Sequence, residues 1–325
     1  MREFSGSDAD WDRLTVNLES ASPYQSSGWA SFRARSGWSH LRLISRSQRG
    51  AVQFLTKSSA ISRILWAPGG PIGQMEYDDF ESLSQVIDEI AGRKMQYVRV
   101  SDHRPANSTL LNYYEQTRWH RPKHPFATGE TLRRNLSRDI SSLRQEYTKN
   151  WSRNLQRRAS RNLRIETWGV SCATEIAHLQ QSVVKHKHLR KDWRTDEGSI
   201  VELMKCFGDS LILIGARSAS GEPLAVRGAV LIGKLGFDLL ASTSQQGRRV
   251  YASNVVTDSL LQVLSERDIQ SYDFGGVDRR RNRGVYDFKH GAGGKEHHYL
   301  GEFERSAPGW LRFAIHPYLS TRKPD

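Results

Sequence analysis

Cysteine is nearly absent from this chain. Cys172 and Cys206 are the only two in 325 residues and lie far apart in sequence. That excludes a disulfide framework and a cysteine-built metal cluster, and it suits a reducing compartment. Long apolar runs are missing too. No stretch approaches the roughly 20 apolar residues of a membrane span, and the opening MREFSGSDADWDRL has no apolar core for a signal peptide. A cytoplasmic location is the expectation. Acidic residues are the minority, 35 Asp and Glu against 48 Lys and Arg, leaving a formal net charge of +13. Such a surplus points to an anionic partner: an RNA, a nucleotide-sugar diphosphate or, by peripheral contact, an acidic membrane surface. The histidine pairs His186/His188 and His297/His298 have no acidic or cysteine companions, so no metal is expected.

Core-forming residues are plentiful. With nine tryptophans and 37% hydrophobic residues the chain is globular and not disordered. Its length predicts two medium domains, and a monomer is the expected state. Strand-like runs at His40–Ser45, Ala51–Thr56 and Ile61–Ala67 precede a helix, capped by Asp78 or Asp79, that places Phe80, Leu83, Ile87 and Ile90 on one face. A strand Gln96–Val100 follows. The same order recurs as Leu211–Ala216, Ala225–Ile232 and Phe237–Ser242, a helix from about Ser253 with Val256, Leu260 and Leu264 inward, then Ser271–Phe274. Three strands, a helix and a strand with mixed pairing make up an acetyltransferase-like (GNAT) domain. The fold class is therefore α/β with mixed sheets, two GNAT-like domains in tandem.

Between the repeats, Ser141–Ser160 reads as one helix. Leu143, Tyr147, Trp151 and Leu155 form an apolar stripe. Lys149, Arg153, Arg157 and Arg161 recur at the same interval about 200° around the helix from Tyr147, a line about 18 Å long that suits successive backbone phosphates. Arg144, Arg158 and Arg164 add charge, and Glu146 is the only acid between Asp139 and Glu166.

The densest signal is SYDFGGVDRRRNRGVYDFKHGAGG, residues 271–294. A strand ends on paired glycines. Arg279, Arg280, Arg281, Arg283 and Lys289 then alternate with Tyr286 and Phe288, and cations interleaved with flat rings suit a single-stranded nucleotide. The spelling YDFGG, a spacer, then GVY-x-FK-x-G-x-GG closely resembles the C-terminal signature of the Fem (FemABX) transferases, which move amino acids from aminoacyl-tRNA onto peptidoglycan precursors. Other motifs agree in order. Gln25-Ser26, Trp29-Ala30 and Trp38 resemble the family's opening pattern. Pro68-Gly69-Gly70-Pro71 is similar to its "RGP" turn, with Gly69 where arginine is common. Thr131–Ser137 resembles its entry to the second domain, with Asn135 in place of an acid.

The resemblance implies twin GNAT-like domains in a compact form without a coiled-coil arm. Residues 1–135 with the returning tail 303–325 would bind the acceptor, and 136–302 the aminoacyl-tRNA. It implies no cofactor, with charged tRNA as co-substrate and an amine-bearing acceptor, either a peptidoglycan precursor or a small molecule. Forming an amide from an activated ester requires a neutral amine, a stabilised oxyanion and a proton for the ribose oxygen, but no enzyme nucleophile. Lys289 is the candidate electrophile, and Phe288 would position the terminal adenosine. Asp102, following the strand Tyr97–Val100, is the candidate base, although Ser101 intervenes where the family has its aspartate directly after the strand. Arg33 matches a cation that grips the acceptor's diphosphate. Trp38, Lys187, Arg190 and Tyr251 complete the acceptor-binding set.

Two other classes stay open. Gln25-Ser26-Ser27-Gly28-Trp29-Ala30 satisfies the pyrophosphate-turn pattern of acyl-CoA-dependent acetyltransferases, but follows a loop-like segment instead of a strand. A non-catalytic RNA-binding protein would use the same cations without turnover.

Overall fold

The computed structural model describes residues 1–157, 162–187 and 192–320. It divides into two compact units, Met1–Thr131 with His297–Asp325, and Leu132–Glu296. The first begins with strands β1 (Arg2–Glu3), β2 (Ser39–Ile44), β3 (Gly50–Ser58), β4 (Ser62–Ala67), β5 (Ile72–Gly73) and β6 (Met95–Pro105), and helices α1 (Asp8–Thr15), α2 (Ser27–Ala34), α3 (Tyr77–Ala91) and α4 (Ser108–Gln116). The second contains most of β7 (Glu130–Asn135), then α5 (Ile140–Gln145), α6 (Lys149–Gln156), β8 (Arg164–Thr167), α7 (Ala173–Lys187), α8 (Glu197–Phe207), β9 (Leu211–Arg217), β10 (Pro223–Ile232), β11 (Leu235–Thr243), α9 (Gln245–Arg249), α10 (Ala252–Glu266), β12 (Ser271–Gly276) and α11 (Arg283–Gly291). Strand β13 (Lys295–Ala307) belongs to the first unit from His297 onward, as does α12 (Leu311–Ser320). No described helix is long and apolar enough to cross a membrane.

In the first unit the strands run β1-β2-β3-β4-β6-β13, with β5 beside β3. Antiparallel β2, β3 and β4 are followed by a parallel β4–β6 pair, the connection that α3 provides. Helix α3 starts at Tyr77, one residue before the expected cap, and the Asp79 carboxylate accepts from Glu76 N at 3.3 Å. Its inner face buries Phe80, Leu83 and Ile87 against Phe54, Leu65 and Val98, while Ile90 is only half-buried. Each fully buried aliphatic side chain of this kind contributes about 1.5–3 kcal/mol. Strand β6 outruns its expected end at Val100 by five residues. The reason is tertiary: its antiparallel partner, β13, supplies pairs from Gln96↔Ala307 to Pro105↔Tyr299.

The second unit repeats the plan. Antiparallel β8, β9, β10 and β11 are followed by α10 and then by β12, parallel to β11. Val256, Leu260 and Leu264 of α10 are buried beside Tyr272 and Phe274. The expected helix over Ser141–Ser160 is instead two helices, broken at Glu146–Thr148. Thr148 begins the second: its amide donates to Gly291 O at 3.1 Å and its hydroxyl accepts from Trp151 N at 3.4 Å. Leu143, Tyr147 and Trp151 still form the buried stripe, and Lys149, Arg153 and Arg157 are exposed. Arg158 and Arg161 lie outside the described residues, so the described cationic line spans about 12 Å.

Candidate functional site

Strands β11 and β12 pair over three positions, from Leu235↔Ser271 to Phe237↔Asp273. Beyond that point the two are unpaired with each other, and a fork opens. Its residues owe their placement to local chemistry. Asp273, fully buried, accepts from Gly275 N at 2.8 Å and from Arg133 Nε at 2.8 Å. Gly275 takes φ +74°, a conformation glycine adopts without penalty. Asp278 accepts from the amides of Arg280 and Arg281 at 3.0 and 2.8 Å, and α11 then starts at Arg283. On that helix Tyr286 and Lys289, three residues apart, share the buried face.

Lys289 therefore points inward. Its Nζ donates to Gly275 O at 3.0 Å and Gly276 O at 2.9 Å, leaving a third N–H. Burial draws its pKa down to about 8; the Asp238 carboxylate opposes that shift, the Arg227 guanidinium adds to it, and Asp273 opposes it. Arg227 and Asp238 form a buried ion pair. The Arg227 Nε and Nη1 atoms also lie 3.3 Å from Tyr272 Oη and Thr257 Oγ1. Phe288 is partly buried, its ring centre 6.1 Å from that of Trp151 and 5.5 Å from the Arg227 guanidinium.

The expected cations of the second unit lie on α6 and before α11. The close approach of α11 to α6 depends on Gly291, where a Cβ would stand 2.9 Å from the Trp151 ring. Lys149 and Arg153 are exposed on α6, and Arg279, Arg280, Arg281 and Arg283 are exposed in the segment that leads into and opens α11. Arg279 lies 5.1 Å from the Tyr286 ring centre. Arg283 pairs loosely with Asp287 at 3.6 Å. Tyr251, expected to touch the acceptor, is at the start of α10, where its hydroxyl accepts from Arg157 at 2.9 Å. It belongs to the cationic face of the second unit. The side chain of Lys187 and all of Arg190 lie outside the described residues.

The first unit gathers Arg33 and Trp38. The guanidinium carbon of Arg33 is 5.8 Å from the ring centres of both Trp29 and Trp38, Lys57 Nζ is 5.1 Å from Trp38, and Trp66 is 6.1 Å beyond it. Arg33 Nε and the indole nitrogens of Trp29 and Trp66 are buried without a hydrogen-bond partner among the described residues. Gln25 is committed elsewhere: it donates to Gln53 O and Pro68 O at 3.1 and 2.9 Å and accepts from Gln53 N at 2.6 Å. With no strand before it and its amide locked into the fold, the Gln25–Ala30 segment lacks the strand–turn–helix setting of a pyrophosphate turn. Gly69 has φ +65°, and a Cβ there would meet Ser22 Oγ at 2.2 Å, which accounts for the missing arginine.

Asp102 requires correction as the candidate base. It is fully buried, accepts from Arg104 Nη2 at 2.6 Å, Arg104 N at 2.9 Å and Tyr114 Oη at 2.8 Å, and pairs with Gly301 in the sheet. A carboxylate so saturated holds the fold together and has no lone pair to offer a substrate. The residues that sequence reasoning missed are Arg227 and Asp238. Their signal was a charge of each sign inside the apolar strand sequences AVRGAVLI and GFDLLAS. Among the described residues no group of three His, Cys, Asp or Glu side chains could hold a metal ion.

The sequence profile of the FemAB family matches residues 217–316, a span that includes Arg227, Asp238, the glycine pair and Lys289. No curated protein matches the chain. Among solved structures, FemX superposes with a TM-score of 0.82 at 12% identity, covering 97% of this chain and 100% of that one. A tandem GNAT protein from the clavulanic acid biosynthesis pathway gives 0.56 at 11% identity over 92% and 94%. The C-terminal domain of a putative lysylphosphatidylglycerol synthetase from Agrobacterium fabrum gives 0.56 at 16% identity over 97% of each chain. Identities this low speak for the fold alone, and that fold is two GNAT-like domains in tandem. The chain thus shares the FemAB family profile across residues 217–316, the segment that carries Lys289, and the tandem GNAT-like fold of FemX.

Proposed function

We propose that the protein is an aminoacyltransferase that takes the amino acid from a charged tRNA and joins it to an acceptor amine, the stem peptide of a peptidoglycan precursor. The observation that carries this reading is Lys289: an ammonium buried at the β11/β12 fork, held by two glycine carbonyls with one N–H to spare, on a helix entered through a run of exposed arginines. The FemAB family match supports a transferase. In the reaction the neutral acceptor amine attacks the ester carbonyl, and the tetrahedral oxyanion is stabilised by the spare N–H of Lys289. Collapse expels the ribose oxygen, which receives the proton that the attacking nitrogen loses. With Asp102 locked to Arg104, that proton passes between the substrates. The cations at 149, 153, 279–281 and 283 hold the phosphates of the acceptor arm, and Phe288 offers a face to the terminal base. Arg33 and the indoles around it form the acceptor's diphosphate grip.

Incubation with a pool of charged tRNAs and candidate acceptors, followed by mass spectrometry, tests the reading. An aminoacyl unit added to the acceptor, and lost after ribonuclease treatment of the pool, is the expected result. Product that survives ribonuclease, or that requires acetyl-CoA, overturns it. The double variant Lys149→Glu/Arg153→Glu should weaken tRNA binding roughly equally for all tRNAs and lower the slope of log affinity against log salt by about 1 for each phosphate that is no longer neutralised. Titration over several salt concentrations checks this, and an unchanged slope removes α6 from the interface.

A further inference from the structure

The fork contains a buried polar atom that the transfer chemistry leaves unused. Asp238 follows the last residue of β11 paired with β12, and a register shift between Gly228 and Ala229 of β10, which leaves Leu239 as an extra residue, sets its position. Its side chain is 8% exposed. Oδ2 is taken by Arg227, and the Tyr272 hydroxyl also acts on the carboxylate; Oδ1 is buried and meets no donor within hydrogen-bond geometry among the described residues. An orphaned carboxylate oxygen costs free energy that a ligand donor would recover. Close by is the spare N–H of Lys289. The two groups feel each other: burial lowers the lysine's pKa and the carboxylate opposes it, while burial raises that of Asp238 and Arg227, then the ammonium, oppose it. Beside Lys289 Nζ and the backbone of Asp238 the chain has no side chain, because the residue there is Gly275. A Cβ on it would lie 3.6 Å from Asp238 O and 3.9 Å from Lys289 Nζ. One unused acceptor and one unused donor thus belong to the same fork.

We infer that Asp238 and Lys289 together read the α-aminoacyl head of the donor, with Lys289 donating to the ester carbonyl oxygen and Asp238 Oδ1 accepting from the free α-ammonium. An α-amino ester carries that acceptor and that donor on adjacent carbons, which matches the pair. An acetyl thioester has the carbonyl but no ammonium, and would leave Oδ1 orphaned. Arg227 keeps the carboxylate ionised and fixes its orientation, so it is a positioning residue. Thr257 and Tyr272 steady Arg227 in turn. The inference rests on the reading of the donor as an amino acid ester and adds what selects it: a free α-amine.

The test compares two donors on the same tRNA, one charged with an α-amino acid and one with the corresponding α-hydroxy acid. The wild-type protein should prefer the amine by about 10- to 100-fold in kcat/KM, the factor expected of a charge-assisted hydrogen bond. In Asp238→Asn that preference should fall to within about twofold while transfer from the hydroxy acid donor is retained, since only the charged acceptor is lost. Equal use of both donors by the wild type overturns the inference, as does a folded Asp238→Asn variant that keeps the full preference. If Asp238→Asn fails to fold, the wild-type comparison decides by itself. Absence of transfer from any charged tRNA refutes the donor assignment and this inference with it. Transfer without discrimination refutes only the inference.

Discussion

Replacing Lys289 with Met should lower the rate of amide formation by about 10²–10³-fold, the usual cost of removing one oxyanion donor, while making the folded protein more stable. The two effects share one cause. In the native state the ammonium is buried against two carbonyls and beside the Arg227 guanidinium, so burial holds its pKa near 8, down from 10.5. An apolar side chain of similar length removes that desolvation cost, and substitutions of this kind stabilise by about 1–4 kcal/mol at most. The pH dependence has a definite sign. Because the folded-state pKa is depressed, the unfolded chain binds more protons between about 8 and 10.5. Stability should therefore rise with pH through that window, the contribution being lost as pH falls through 8, and the slope should vanish in Lys289→Met. Transfer runs the other way: the ammonium is the donor, so the rate corrected for neutral acceptor amine should fall above pH 8. Thermal melts and single-turnover transfer across pH 6.5–10 measure both. A variant that is destabilised yet fully active would remove Lys289 from the chemistry.

Asp102→Ala should instead be a stability mutation. It strips the buried Arg104 guanidinium of its bidentate partner and leaves the buried Tyr114 hydroxyl without its acceptor. Breaking a buried pair from one side costs about 3–5 kcal/mol, which for a unit of this size lowers the melting temperature by about 10 °C. At a temperature where the variant remains folded, kcat and its pH profile should match the wild type, because the carboxylate never meets a substrate. The opposite result, an unchanged melting temperature with kcat reduced about 100-fold, is the signature of a general base and would restore Asp102 to the reaction.

What could be read from the sequence followed from what is local. Paired three-strand runs, the periodic helices α3 and α10, and the glycine pair before Lys289 are set by short-range pattern, and they appear where the pattern places them. The break at Thr148 was hidden because the apolar stripe Leu143–Tyr147–Trp151 continues through it; only the amide bond to Gly291, some 140 residues away, reveals a new helix start. Asp102 looked available because its consumers are tertiary: Arg104 folds back onto it, and Tyr114 reaches it from α4. Strand β6 ran long for the same kind of reason, its partner lying near the other end of the chain. Arg227 and Asp238 were visible as charges in apolar strands. Only the sheet register, with its shift at Gly228/Ala229, joins them into a pair beside Lys289.

Central to the proposed reaction is an acylated tRNA end lying against Lys289. A tRNA whose terminal ribose bears a bromoacetyl group in place of the amino acid puts an electrophilic carbon at that spot, and a lysine with a pKa near 8 has enough free amine at neutral pH to react. Proteolysis and mass spectrometry should map the adduct to Lys289, with labelling suppressed by excess charged tRNA. An adduct confined to other lysines, with Lys289 unmodified and no protection by charged tRNA, would contradict that placement.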